Sequence, residues 1–80
     1  MFLHLGADVM IPKKDVVAIL DVQTRLASIT REYLRLIRAD GLMEVVGEPG
    51  KERSFVITGE KVYLSPISCT TLKKRAEEGR

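Results

Sequence analysis

The 80-residue sequence has one cysteine, one histidine, no tryptophan and only two tyrosines and two phenylalanines. A lone thiol, Cys69, excludes an internal disulfide and suits a reducing cytoplasm. A lone imidazole, His4, with no paired cysteines, leaves too few ligands for a zinc centre and no Cys-His dyad. The longest apolar run is the five residues from Val16 to Leu20, against the roughly 20 that a bilayer demands, so no membrane span is expected. The N-terminus MFLHLGAD has no basic leader followed by an apolar stretch and a small-residue cleavage site, so export is not expected. Neither sign of charge dominates: 13 Lys and Arg stand against 11 Asp and Glu, a net charge of +2. That excess is weaker than a dedicated nucleic-acid binder usually shows, so the folded position of the cations decides their use.

Hydrophobic residues make up 45% and charged residues 30%, which places the chain among soluble globular domains. Half of it could not bury enough surface to fold, so residues 1–80 read as a single domain. A domain this short rarely gains more than about 3–5 kcal/mol from its own core. With no disulfide or metal set to staple it, association into a homo-oligomer is expected.

Phe2–Leu5 and Val9–Ile11 read as two strands joined through Gly6-Ala7-Asp8, a hairpin. Pro12-Lys13-Lys14-Asp15 breaks the chain, and the β-branched run Val16–Leu20 reads as a buried, central strand. Asp21 to Ala27 is polar and irregular, with Ser28 or Thr30 placed to cap a helix. At 100° per residue Ile29, Tyr33, Leu34, Leu36 and Ile37 share one face of that helix, while Arg31, Arg35 and Arg38 cluster within about 60° opposite. Gly41 supplies its stop. Met43–Val46, Ser54–Thr58 and Lys61–Leu64 read as strands divided by Gly47-Glu48-Pro49-Gly50 and Gly59-Glu60. Ser65-Pro66 ends the last strand, and Ser68 or Thr70 caps a short helix from about Thr71. The order predicts an α+β fold: a small antiparallel or mixed sheet of short strands, one central amphipathic helix and a short C-terminal helix. Short strands leave open edges, which pairing around a ring of copies would protect.

Catalysis is not expected. His4 lies in an apolar strand and reads as a half-buried structural residue. Cys69 sits beside a helix cap that can lower its pKa, yet the structural reading outweighs reactivity. Asp8, Asp15, Asp21 and Asp40 are scattered as turn and cap residues, and no glycine pattern enters a helix as a phosphate cradle does. Cofactors and metals are therefore not expected, and no small-molecule substrate is identified.

The cations offer more. Arg31, Arg35 and Arg38 form a stripe of forked phosphate donors, although any amphipathic helix needs a solvated side. Lys51 and Arg53 flank one turn and Lys13 and Lys14 occupy another, and loops reach a groove more readily than a packed face does. Lys73-Lys74-Arg75 is the densest positive run, with Leu72 and Ala76 four apart to dock its helix and Glu77 and Glu78 partly cancelling its charge. One such cluster on a monomer binds DNA weakly. Repeated around an oligomer, it becomes a continuous track.

Phe2-Leu3-His4-Leu5-Gly6, Asp15-Val16-Val17-Ala18-Ile19 and above all Tyr63-Leu64-Ser65-Pro66-Ile67-Ser68 running into Thr71-Leu72-Lys73-Lys74-Arg75-Ala76 resemble the RemA/RemB family of bacterial extracellular matrix regulators. The likeness spans nearly the whole chain and is closest to the RemB branch. It implies a non-enzymatic, cytoplasmic, DNA-binding transcriptional regulator of the extracellular matrix (biofilm) type, with a fold related to LytTR domains and rings built from identical subunits. DNA would bend around such a ring and be held by backbone contacts. Carried over by position, Lys51 and Arg53, then Lys13 and Lys14, are the expected DNA contacts. Lys73, Lys74 and Arg75 come second, since their helix can equally serve a subunit interface. One position departs from the pattern: where RemA-like members tend to carry a basic residue before the apolar strand, this chain has Asp15, which repels phosphate. The alternative expectation is an oligomeric protein-interaction module that partners or antagonises a DNA-binding relative.

Overall fold

Alternating apolar residues build the first unit. In the computed structural model, which describes residues 1–23 and 27–78, Phe2–Gly6 (β1) pairs antiparallel with Val9–Pro12 (β2). Leu3, Leu5 and Ile11 point inward and are buried, whereas Phe2 and Met10 face out. His4 alternates outward with them and is exposed, which corrects the half-buried placement expected from its apolar neighbours. The turn holds Ala7 and Asp8 at φ 45° and 66°, left-handed values whose twist suits a hairpin. Gly6 sits at φ 107° where the register shifts. A Cβ there would lie 3.3 Å from Cγ of Pro66, so Gly6→Ala is expected to cost about 1–3 kcal/mol of stability in urea unfolding.

A single 3₁₀ turn over Lys13–Asp15 leads into Val16–Asp21 (β3). Ser28–Ala39 (α1), Met43–Val45 (β4), Ser54–Thr58 (β5), Val62–Ser65 (β6) and Cys69–Glu77 (α2) follow. Among the described residues there are thus two helices and two sheets, the β1–β2 hairpin and a four-stranded sheet ordered β3-β5-β6-β4. β3–β5 and β5–β6 are antiparallel and β4–β6 is parallel. The sheet is therefore mixed, and the expected α+β architecture holds. β3 and β4 run the same way, so β3-α1-β4 is a crossover whose two strands stand apart, with the β5–β6 hairpin between them.

The alternation on β5 separates two cores. Phe55 and Ile57 face α1, where Leu34, Val62, Ile37, Ala18 and Leu20 gather. Val56 faces the other way, into Leu3, Leu5, Ile11, Ile19, Val46 and Leu72 from the hairpin, β3 and α2. The result is three layers: α1, the four-stranded sheet, and the hairpin with α2.

Two expectations fail for physical reasons. β3 is an edge strand, not a central one: its apolar run reflects packing on both faces, Ile19 on one and Ala18 and Leu20 on the other. Val17 is 70% exposed beside the irregular register between Val16 and Ala18. On α1 only Leu34 and Ile37 turn to the sheet, while Ile29, Tyr33 and Leu36 stay exposed. Their apolar arc spans about 160° at 100° per residue, more than a helix lying on a sheet can bury.

Boundaries differ by a residue or two. The N-cap of α1 is Ala27, without a side-chain bond, and Ser28 begins the helix, its hydroxyl accepting instead from Arg31 at 3.3 Å. Thr30 lies inside that helix. Val46 leaves the strand at β4 but is buried. α2 starts at Cys69, earlier than expected. Gly41 takes φ 74° at the end of α1, as its stop role requires. Within the expected irregular stretch, Asp21 closes β3 and Val22 and Gln23 form a turn, while residues 24–26 lie outside the described residues.

Candidate nucleic-acid interface

Ser65-Pro66-Ile67-Ser68 is the hinge on which the hairpin and α2 are mounted. The Ser65 hydroxyl, fully buried, donates to the Leu5 carbonyl at 2.7 Å and accepts from the Ile67 amide at 3.1 Å. Ser54, also buried, donates to the Ile67 carbonyl at 2.6 Å. Ser68 then caps α2, accepting from the Thr71 amide at 3.2 Å. Four residues thereby tie β6 to β1, to β5 and to the start of α2. Losing one cap bond costs about 1 kcal/mol, so Ser68→Ala is expected to lower the urea midpoint by a corresponding, modest amount while leaving the sheet intact.

Leu72, fully buried, and Ala76 anchor α2, which leaves Lys73 and Lys74 exposed. At its C-terminal end the Lys13 ammonium donates to the Glu78 carbonyl, and the Arg75 guanidinium reaches the His4 carbonyl at 3.5 Å. Cations at this end also suit the negative pole of the helix. At the N-terminal end, Arg53 shares a small pocket with Asp21, Gln23, Ser68 and Cys69. It is held by its amide on the Ser65 carbonyl at 2.8 Å and by its carbonyl accepting from the Val22 amide at 3.1 Å. The nine residues of α2 extend about 13 Å, the axial length of about four phosphates on one DNA strand. The structure thus brings Lys13, Lys74 and Arg75 together at one end of α2 and sets Arg53 at the other. Lys51 is exposed in the loop before β5. That loop passes the hairpin turn, since a Cβ on Gly47 would lie 3.8 Å from Ala7.

Lys14 does not join this group. It lines an open groove of about 570 Å³ between the hairpin, the start of β3 and the β5–β6 turn, together with Asp15 and Glu60. Arg31, Arg35 and Arg38 lie in the α1 layer, across the sheet from α2. Each is engaged locally: Arg31 with Ser28, Arg35 with Glu32 at 3.1 Å, and Arg38 with the Met43 sulfur at 3.5 Å. This is the solvated side of an amphipathic helix.

Lys61, missed in the sequence, bonds Glu44 at 2.7 Å and lies 5.2 Å from the Tyr63 ring centroid. The Glu44 hydrogen bond, with the charge of Tyr63, raises its pKa above the ordinary 10.5. A raised lysine pKa stabilises the fold below the ordinary value and loses that effect as pH climbs through the raised one. The tie between β4 and the β5–β6 turn therefore holds throughout the neutral range. The cross-strand register of Glu44 and Tyr63 is the signal, visible only once β4 and β6 are known to be parallel.

Cys69 donates to the Ile19 carbonyl at 3.6 Å from its place at the start of α2. Among the described residues there is no cluster of three metal-ligating side chains and no helix long and apolar enough to cross a membrane.

Residues 2–76 match the RemA-like family, described as extracellular matrix regulatory protein A-like. The chain belongs to this family of bacterial matrix regulators. Among curated proteins it is similar to extracellular matrix regulatory protein B of Bacillus subtilis (strain 168), with 36% identity over 77 residues that cover 96% of this chain and 91% of the relative. The resemblance read from the sequence, including its lean toward the B branch, is thereby borne out.

Proposed function

We propose that this chain is a non-enzymatic, cytoplasmic DNA-binding transcriptional regulator of matrix formation that works as a homo-oligomeric ring with a LytTR-like fold. The reading is supported above all by the cationic face along α2, where Lys13, Lys74 and Arg75 cluster from two segments of the chain and Arg53 and Lys51 extend the set. Lysine and arginine on a face without a deep pocket suit a polyanion read by backbone contacts. Lys73 continues this face, and Lys14 belongs to the rim of the groove.

Three or four phosphate contacts per subunit give weak, salt-sensitive binding, and repetition around a closed ring multiplies it. Mobility shifts with unrelated duplexes test this directly. Binding at about 50 mM salt is expected to fall at least 40-fold by about 200 mM, the loss for roughly three contacts.

Asp15 favours a second reading. This exposed carboxylate in the 3₁₀ turn suits a protein partner better than phosphate. Intact oligomers that shift no duplex at either salt select that interaction module.

A further inference from the structure

The large apolar side chains left exposed among the described residues fall into two sets. One is a ridge and its neighbouring sheet edge: Ile29 (81% exposed), Tyr33 and Leu36 on α1, with Leu42 and Val45 at β4. The other combines Val17 on β3, the opposite edge strand of that sheet, with Met1, Phe2 and Met10 of the separate β1–β2 hairpin, Met10 and Val17 meeting at the groove. At about 200 Å² per large apolar residue, each set exposes on the order of 500 Å², the size of the single largest patch on a typical monomer, and this chain carries two. Interfaces are roughly 60% apolar, so each set accounts for about 800 Å² of interface, the share one partner contributes to a standard stable contact.

The two sets differ in shape. The first projects as a helix ridge. The second borders the 570 Å³ groove, whose apolar lining includes Met10, Pro12, Val17 and Tyr63. A ridge meets a groove better than ridge meets ridge or groove meets groove. Charge does not drive such a contact: Glu32, already paired with Arg35, and Asp40 lie beside the ridge in the helical projection, and Lys14 lines the groove with Asp15 and Glu60, so apolar area and shape carry it. β3 and β4 also end the four-stranded sheet, an edge liability that a neighbour covers.

We infer that the α1 ridge of one copy seats in the groove of the next, head to tail. A contact between unlike patches cannot close as a two-fold dimer and instead propagates head to tail, into a ring where the rotation between copies closes. This rests on the homo-oligomer reading above and assigns its contact surfaces. It also gives Asp15 a place at the subunit boundary and away from the α2 face.

Two variants test it. Ile29→Asp with Leu36→Asp spoils the ridge, and Met10→Asp with Val17→Asp spoils the groove. All four positions are more than half exposed, so circular dichroism and melting are expected to match the parent chain. Each variant alone is expected to sediment as a monomer. Mixed one to one, they are expected to form a heterodimer that grows no further, because only one competent ridge and one competent groove remain. A ridge-spoiled variant that still assembles, a groove-spoiled variant that dimerises alone, or a mixture that stays monomeric overturns the inference. If both variants assemble like the parent, the contact assignment fails and the ring reading stands. If the parent itself is monomeric, both fail.

Discussion

Replacing Lys13, Lys74 and Arg75 together by Glu is expected to reduce affinity for an arbitrary duplex at least 100-fold at about 50 mM salt. It should also flatten the log affinity against log salt slope by about three for each subunit in contact. The three cations are drawn to one end of α2, two of them through backbone carbonyls of Glu78 and His4, so they act as one patch. Reversal also places three carboxylates there, so the loss exceeds that of neutral substitution. Lys51→Glu with Arg53→Glu, at the far end of the helix, is the matched comparison. If the second pair matters more than the first trio, DNA crosses the N-terminal end of α2 and the hairpin side is peripheral. The Arg31, Arg35 and Arg38 stripe serves as a control, since reversal there is expected to leave the salt slope unchanged.

Leu72→Ala is expected to cost about 3 kcal/mol, within the usual range for a buried leucine that leaves a cavity. Total stability for a domain of this size is about 5 kcal/mol, so the variant sits close to its unfolding threshold. Leu72 is fully buried among Leu3, Leu5, Ile19 and Val56, and it is what presses α2 onto the hairpin and β3. Urea unfolding gives the size of the loss. Because the same helix presents Lys73, Lys74 and Arg75, duplex affinity should fall with stability, whereas Ser68→Ala moves stability modestly and affinity little. A Leu72→Ala chain as stable as the parent contradicts the packing described here.

The parts of this structure that local chemistry governs were legible. Gly6-Ala7-Asp8 makes a hairpin because glycine and aspartate tolerate left-handed backbone and carry Ala7 between them, and Ser65-Pro66-Ile67-Ser68 ends a strand and caps a helix by bonds within a few residues. What escaped depends on partners distant in the chain. An apolar run such as Val16–Leu20 reads the same in a central strand as in an edge strand covered on both faces. The direction of β4 follows from the α1 crossover, not from its own three residues. The wide apolar arc of α1 carries no mark of which half meets the sheet, and that choice leaves Ile29, Tyr33 and Leu36 outside. The cationic residues were all visible, but only the fold separates Lys13 from Lys14 and joins Lys13 to α2. Membership of the RemA-like family was legible in the segment from Tyr63 to Ala76, where Ser65, Ser68 and Leu72 join β6, the hairpin and α2.

Sedimentation velocity of the chain at low micromolar concentration, with and without a duplex of about 40 base pairs, bears on all of this at once. A closed oligomer of fixed stoichiometry is expected, carrying the duplex with it at about 50 mM salt and releasing it at about 200 mM. A protomer that stays single at that concentration and leaves the duplex to sediment alone contradicts the account.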